Sequence, residues 1–285
     1  GTGGSSSVRS TWNQFRKAGA AARMMLVKAA ADTWKVDPGT CRAEKGFVIH
    51  DATKRKLIYG KLVKKAADMK PPQEVPLKDP KDFTVIGKGM KRLDTPEKVN
   101  GKGIFGIDAK AQGMLTAVVL RPPVFGGKVK SFNADKAKAV PGVRGVFQIN
   151  SGVAVVADHF WQADRGRNAL DVIWDEGENA RLSSVGMREE YARLAKVPGS
   201  VAKKKGEPEQ AFINSAKQVF AEYEVPYLAH ATMEPLNCLV DLRSDSCEIW
   251  TGTQMQTGDR NAAAKVAGLK PEQVKIHTTL LGGGF

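Results

Sequence analysis

Apolar residues recur at helical spacing between Trp12 and Trp34. Phe15, Ala18, Ala22, Met25, Leu26 and Ala29 fall on one stripe, which predicts a long helix. A Val-Asp-Pro-Gly turn at 36–39 follows. Gly46–His50 then reads as a strand paired with Lys56–Tyr59, and Tyr59–Asp68 as a second helix. Residues 70–82 hold four prolines and no periodicity, the pattern of an extended linker. Beyond it, Met114–Leu120 and Val153–Ala157 are short apolar runs that predict buried strands, with helices over Asn133–Ala139 and Trp161–Leu170. Residues 178–205 are polar, helical over Val185–Leu194, and end in three lysines, so they read as an exposed connector. Near the C-terminus, Cys247–Thr251 predicts a strand and Gly258–Ala267 a helix that Pro271 cannot continue. Val274–Leu281 predicts a second strand that runs into Gly282-Gly283-Gly284-Phe285. Strand, crossover helix and strand make a βαβ unit, whose two post-strand loops share one edge of a parallel sheet. Gln254 and Phe285 are therefore expected to meet in space.

Composition adds bounds. At 285 residues, 42% hydrophobic and 26% charged, the chain has the make-up of an ordinary globular protein with room for two or three domains. No apolar run approaches the length of a membrane span, and no signal-peptide pattern opens the sequence. The formal charge of +14 invites a nucleic-acid reading, but it is unevenly spread. Residues 1–83 carry +9, residues 84–205 carry +9, and residues 206–285 carry −4. The basic runs are not interleaved with aromatic residues, so they are expected to be solvated faces rather than a nucleic-acid site. They remain able to attract acidic partners or anionic lipid. Cys41, Cys238 and Cys247 form no Cys-x-x-Cys pair and no zinc or iron–sulfur spacing. Cys238 and Cys247 flank an expected hairpin, where they either meet or remain small buried thiols.

Two stretches carry candidate chemistry. Glycines 282–284 let a backbone approach a ligand and leave amides to donate, and the Gln254 side chain both donates and accepts. At the other end, G-T-G-G-S-S-S precedes the first long helix. Small hydroxylated residues there offer N-caps and free amides suited to phosphate, and the same composition also fits a plain linker. His230 and Glu234 stand four apart, but Pro235 and strand-like flanks argue against a helical metal site.

Thr253-Gln254 and Gly282-Gly283-Gly284-Phe285, at this spacing, resemble the molybdenum-binding large subunits of molybdenum hydroxylases, the xanthine dehydrogenase and aldehyde oxidase family. The likeness extends to T-G-G-S-S-S-V-R at residues 2–9 and to K-R-L-D-T-P-E-K-V-N-G, G-M-L-T-A-V-V-L and A-V-P-G-V-R-G-V-F in the middle. It also covers Y-L-A-H-A-T-M-E-P from Tyr227. The order of segments is similar to the branch of isoquinoline 1-oxidoreductase β subunits and bacterial membrane-associated aldehyde dehydrogenases.

The resemblance implies an α+β or α/β fold. A hammerhead-type domain (83–177) would be flanked by a molybdopterin-binding segment (1–69), a linker (70–82), a connector (178–205) and the start of a molybdopterin-binding βαβ domain (206–285). It implies molybdopterin cytosine dinucleotide as cofactor, with Gly4, Ser5, Ser6 and Ser7 on its phosphates. Gln254, Gly283, Gly284 and the Phe285 amide would lie beside the metal, which takes no ligand from the protein. Phe125, in Val-Phe-Gly-Gly near the substrate funnel, and Glu234 would have supporting roles. It further implies oxidation of an aldehyde or N-heteroaromatic carbon with oxygen from water, using a 2Fe-2S subunit, a cytochrome c and the remainder of a large subunit as partners. The parent enzyme would be periplasmic or membrane-associated. The family's catalytic glutamate, in a G-x-G-E motif, has no counterpart here, so the chain is expected to be a fragment that alone holds no cofactor and does not turn over. The alternative from another class is a non-catalytic basic scaffold binding anions or nucleic acid. A Rossmann-type site is excluded, because no helix follows the glycines.

Overall fold

The computed structural model describes residues 1–284. The chain divides into two compact units, one formed by Gly1–Ala109 with Ala231–Phe285 and the other by Lys110–His230. Residues 83–109 thus pack with the first unit, whereas the strands and helices expected of the hammerhead block lie in the second.

The first piece opens on α1 (Ser7–Trp34), which starts five residues before the predicted Trp12 because Ser7–Thr11 already make helical bonds. Its N-terminal half is nearly all exposed. Its C-terminal half buries Ala29, Ala30 and Ala31, and Lys35 closes it in a left-handed cap whose amide donates to Ala31 O. Small alanines let the helix sit close to a three-stranded antiparallel meander, β1 (Cys41–Glu44), β2 (Phe47–His50) and β3 (Arg55–Ile58). The sequence reading had β2 and β3 but not β1, whose Cys-Arg-Ala-Glu carries too little apolar alternation to stand out. Helix α2 (Tyr59–Ala67) completes the layer. Val48, Leu62 and Ala66 meet Ala29 and Ala30 in its core.

The linker holds no strand and only a 3-10 turn at Pro80–Asp82. It folds along α1, where the Arg16 guanidinium lies 5.0 Å from the Trp12 ring and 5.4 Å from the Phe83 ring and donates to Lys78 O at 2.8 Å. A short helix, α3 (Thr95–Val99), follows.

In the second unit, β4 (Thr116–Leu120), β5 (Lys128–Asn133), α4 (Asp135–Lys138), β6 (Val143–Ile149), β7 (Gly152–Ala157), α5 (Phe160–Asn168) and β8 (Asp171–Asp175) form two small sheets. Strand β7 lies between β4 and β6, which is why Gly-Val-Ala-Val-Val-Ala is apolar throughout, and β5 pairs with β8. Helices α6 (Ser184–Leu194) and α7 (Pro208–Ile213) follow, with α6 capped by Ser183 Oγ accepting from Gly186 N.

The chain then returns to the first unit through β9 (Leu239–Leu242), β10 (Cys247–Thr251), α8 (Gln256–Ala267) and β11 (Val274–Thr278). Strand β10 pairs antiparallel with β9 and parallel with β11, from Cys247 opposite Val274 to Thr251 opposite Thr278, so the expected βαβ unit is present. Helix α8 begins two residues early. Strand β11 ends three residues before the predicted Leu281, because Leu280 leaves the sheet to bridge Phe105, its amide donating to Ile104 O at 3.0 Å. Cys238 is exposed, Cys247 is buried, and both thiols are free, so they remain separate.

Candidate functional site

Parallel pairing of β10 and β11 brings their C-terminal ends side by side, and Thr279 N extends the ladder to Thr251 O at 3.0 Å. The loop after β10 is shaped by Thr253. Its hydroxyl accepts from Met255 N at 2.9 Å and donates to Asp259. Gln256 turns back, its Nε2 donating to Thr253 O at 3.1 Å, while Gln254 points elsewhere.

Gln254 meets the N-terminus of the chain. Thr2 N donates to Gln254 O at 2.7 Å, and Gln254 Nε2 donates to Thr2 O at 3.1 Å. The Gly-Ser turn and the Thr-Gln loop, 252 residues apart, are thereby tied by two hydrogen bonds. On its other side Gln254 lies against Gly284, where a methyl group would stand 2.7 Å from Gln254 Oε1. The expected neighbour, Phe285, lies outside the described residues, and Gly284 marks the approach.

The turn before α1 has left-handed backbone at Gly4 (φ +63°) and Ser5 (φ +49°). Ser6 occupies the N-cap position, but its Oγ donates to Gly3 O at 3.0 Å instead of capping the helix. The expected capping by side chain is therefore absent. The first amides of a 28-residue helix, with no acidic residue in its first turn, keep their capacity to donate.

Glu234 is the residue the sequence undervalued. Its Oε2 accepts from Gly282 N at 2.8 Å, and its Oε1 accepts from Ile107 N at 3.1 Å and Asn237 Nδ2 at 3.0 Å. Burial opposes ionisation, but the Asn237 amide and the backbone amides of Gly282, Ile107 and Gly106 outweigh it and hold the carboxyl below its usual range. The only signal in the sequence was the Met-Glu-Pro-Leu-Asn run itself, since Gly106 and Gly282 are distant. His230 and Glu234 do not share a helix.

Phe125 belongs to the other unit, where it is exposed at a loop tip and its carbonyl accepts from Asn179 Nδ2 at 2.8 Å. A cavity of about 440 Å³ beside the paired loops is lined by Glu234, Asn237, Thr251, Thr253, Asp259 and Leu281. A larger groove of about 800 Å³ runs along α1 past Met24, Met25 and Met69, and none of the candidate residues lines it. Among the described residues, no group of three His, Cys, Asp or Glu side chains is placed to hold a metal ion. No described helix is long and apolar enough to cross a membrane.

The Thr2–Gln254 hydrogen bonds thus bring the backbone amides and hydroxyls of two glycine-containing turns to one edge of the βαβ unit. The profile of the molybdopterin cofactor-binding domain family matches residues 194–285. The chain is 33% identical over 300 residues to the membrane-bound aldehyde dehydrogenase [pyrroloquinoline-quinone] of Gluconacetobacter polyoxogenes, with all of this chain and 39% of that protein covered. It is 29% identical over 335 residues to the isoquinoline 1-oxidoreductase subunit beta of Brevundimonas diminuta, with all of this chain and 42% of that protein covered. Quinoline 2-oxidoreductase from Pseudomonas putida 86 shares the fold over 70% of this chain and 31% of its own, at 20% identity and a TM-score of 0.52. Residues 194–285 thus match a molybdopterin cofactor-binding domain, and over its whole length the chain is similar to the large subunits named above. It spans about two fifths of the length of these two relatives. Nothing among these relatives favours a nucleic-acid-binding scaffold.

Proposed function

We propose that this chain supplies part of the molybdopterin site of an enzyme that oxidises an aldehyde or an N-heteroaromatic carbon with oxygen from water. The observation that carries the reading is the pair of hydrogen bonds between Thr2 and Gln254, which unites the two motifs expected to serve one cofactor. The residues fit such a group. The glycine turn and the start of α1 offer amides and the hydroxyls of Ser5 and Ser7 to phosphate, and the dinucleotide form with cytosine is part of the proposal. The Gln254 side chain, and the backbone amides of Gly283 and Gly284, for which no acceptor stands among the described residues, offer hydrogen bonds to the oxygen-rich centre. When bound, the group supplies two-electron redox chemistry at its molybdenum.

The chain's own part is to grip and orient. Gln254 Nε2 now serves Thr2 O, so turning it toward a cofactor exchanges that bond for one to the ligand. The segments 1–69, 83–177 and 206–285, with Phe125 near the substrate and the Phe285 amide near the metal, belong to the same proposal. So do a 2Fe-2S subunit and a cytochrome c as electron acceptors, and a periplasmic or membrane-associated location. The name of the Gluconacetobacter relative carries pyrroloquinoline quinone, which sets the alternative cofactor to test against. The test is elemental and nucleotide analysis of the complete enzyme that contains this chain. Stoichiometric molybdenum, with cytidine monophosphate released on acid hydrolysis, supports the reading. A quinone without molybdenum refutes it.

A further inference from the structure

We infer that Glu234 is a positioning residue that holds the Gly282 backbone and so aims the amides of Gly283 and Gly284. This rests on the reading that those amides face the cofactor. The carboxylate joins three segments far apart in sequence. Its Oε2 accepts from Gly282 N at 2.8 Å, its Oε1 from Ile107 N at 3.1 Å, and Asn237 Nδ2 reaches the same Oε1 at 3.0 Å. The contact with Gly282 is reciprocal, because Glu234 N donates back to Gly282 O at 3.2 Å.

The surroundings of the clasp are fitted to it. A methyl group at position 282 would lie 2.1 Å from Glu234 Cβ, one at 106 would lie 3.4 Å from Glu234 Oε1, and one at 283 would lie 3.0 Å from Thr232. Thr232 Oγ1 in turn donates to Glu234 O at 2.6 Å. Gly282 and Gly283 therefore rest on Glu234 and Thr232, Gly284 lies against Gln254, and the Glu234 carboxylate anchors the start of the loop. Both carboxylate oxygens of half-buried Glu234 are engaged by donors from the loop and its supports. Its effect passes through the loop.

The donor count makes a sharp test. Three N–H groups lie within 3.1 Å of the two oxygens, two on Oε1 and one on Oε2. A glutamine of the same volume must place its NH2 against one side. The less costly choice keeps the carbonyl on the two-donor side and sets the NH2 against Gly282 N–H, where two donors face each other. Glu234→Gln is thus a fault directed at Gly282.

The experiment uses the complete enzyme that contains this chain, wild type and Glu234→Gln, with circular dichroism melting to establish that both fold. Hydrogen exchange of the backbone amides at 280–284 should speed up about tenfold or more in the variant, the loss of one charge-assisted bond. Turnover should fall with it while KM holds and molybdenum content stays at the wild-type level. The Mo(V) electron paramagnetic resonance signal should change shape, since the donors around the centre have moved. Wild-type exchange at 280–284 in a folded, molybdenum-loaded variant overturns the positioning role alone. A wild-type enzyme without molybdenum overturns the cofactor reading, and with it the functional half of this inference.

Discussion

Replacing Gly282 with alanine places a carbon 2.1 Å from Glu234 Cβ, 2.8 Å from Glu234 Oε2 and 3.2 Å from Glu234 Cα. A relaxed carbon–carbon contact needs about 3.5–4.0 Å, so the loop or residue 234 must retreat by roughly 1.5 Å. That retreat breaks the 2.8 Å bond from Gly282 N to the carboxylate. Overpacking of this kind costs about 1–3 kcal/mol, and a hydrogen bond to a charged acceptor contributes about 1.5–3 kcal/mol. Allowing for partial relaxation, the unit loses roughly 3–5 kcal/mol, a fall of about 10 °C in melting temperature. Gly19 supplies the control. It lies exposed in the interior of α1 with nothing within 4 Å of an added methyl, so Gly19→Ala should stabilise by about 0.5–1 kcal/mol. Differential scanning calorimetry of both variants is the assay. A Gly282→Ala protein that melts with the wild type refutes the close approach of the loop to Glu234.

Gln254→Ala should lower turnover about a hundredfold or more, as the loss of one donor aimed at developing charge does, with cofactor content held by the phosphate contacts. Gln256→Ala, whose amide only serves Thr253 O, should cost far less; equal effects in steady-state assays would refute the distinction. Glu234 also imposes a pH dependence. Because its folded pKa lies below its usual value, its stabilisation is complete above the ordinary carboxylate range and is lost as pH falls through the lowered value. The gap in melting temperature between wild type and Glu234→Gln should therefore close on acidification, and a gap that widens contradicts the assignment. Arg16→Ala removes a cation held over Trp12 and Phe83 and a bond to Lys78 O, so the segment 70–83 should be cut faster in limited proteolysis while α1 stays helical.

Much of the scaffold was legible in the sequence because its signals are local. The alanine stripe of α1, the proline-rich linker, the apolar run of β7 and the strand–helix–strand order at the C-terminus each follow from periodicity or turn chemistry within a short window. Strand β1 was missed because two of its four residues are charged, and the end of β11 because Leu280 answers to Phe105, far back in the chain. The candidate site divides the same way. The Thr-Gln and triple-glycine motifs announce themselves by residue type, and parallel pairing explains why they adjoin. What joins them to the rest is long-range. The hydrogen bonds from Thr2 to Gln254 and from Ile107 to Glu234 leave no trace in local composition, because any backbone amide serves as the partner. The Ser6 side chain shows the limit in miniature, for it has the residue type of a cap and spends its hydroxyl on Gly3 O.

The central claim is that the glycine–serine turn and the Gln254–Gly284 loops form one molybdopterin site. Anomalous diffraction at the molybdenum edge, from crystals of the complete enzyme containing this chain, tests it most directly. The account predicts a single strong peak beside the Gln254 side chain and the Gly283–Gly284 backbone, with density for the dinucleotide phosphates against Gly4–Ser7. A molybdenum peak remote from Gln254, or phosphates bound away from the start of α1, would contradict it.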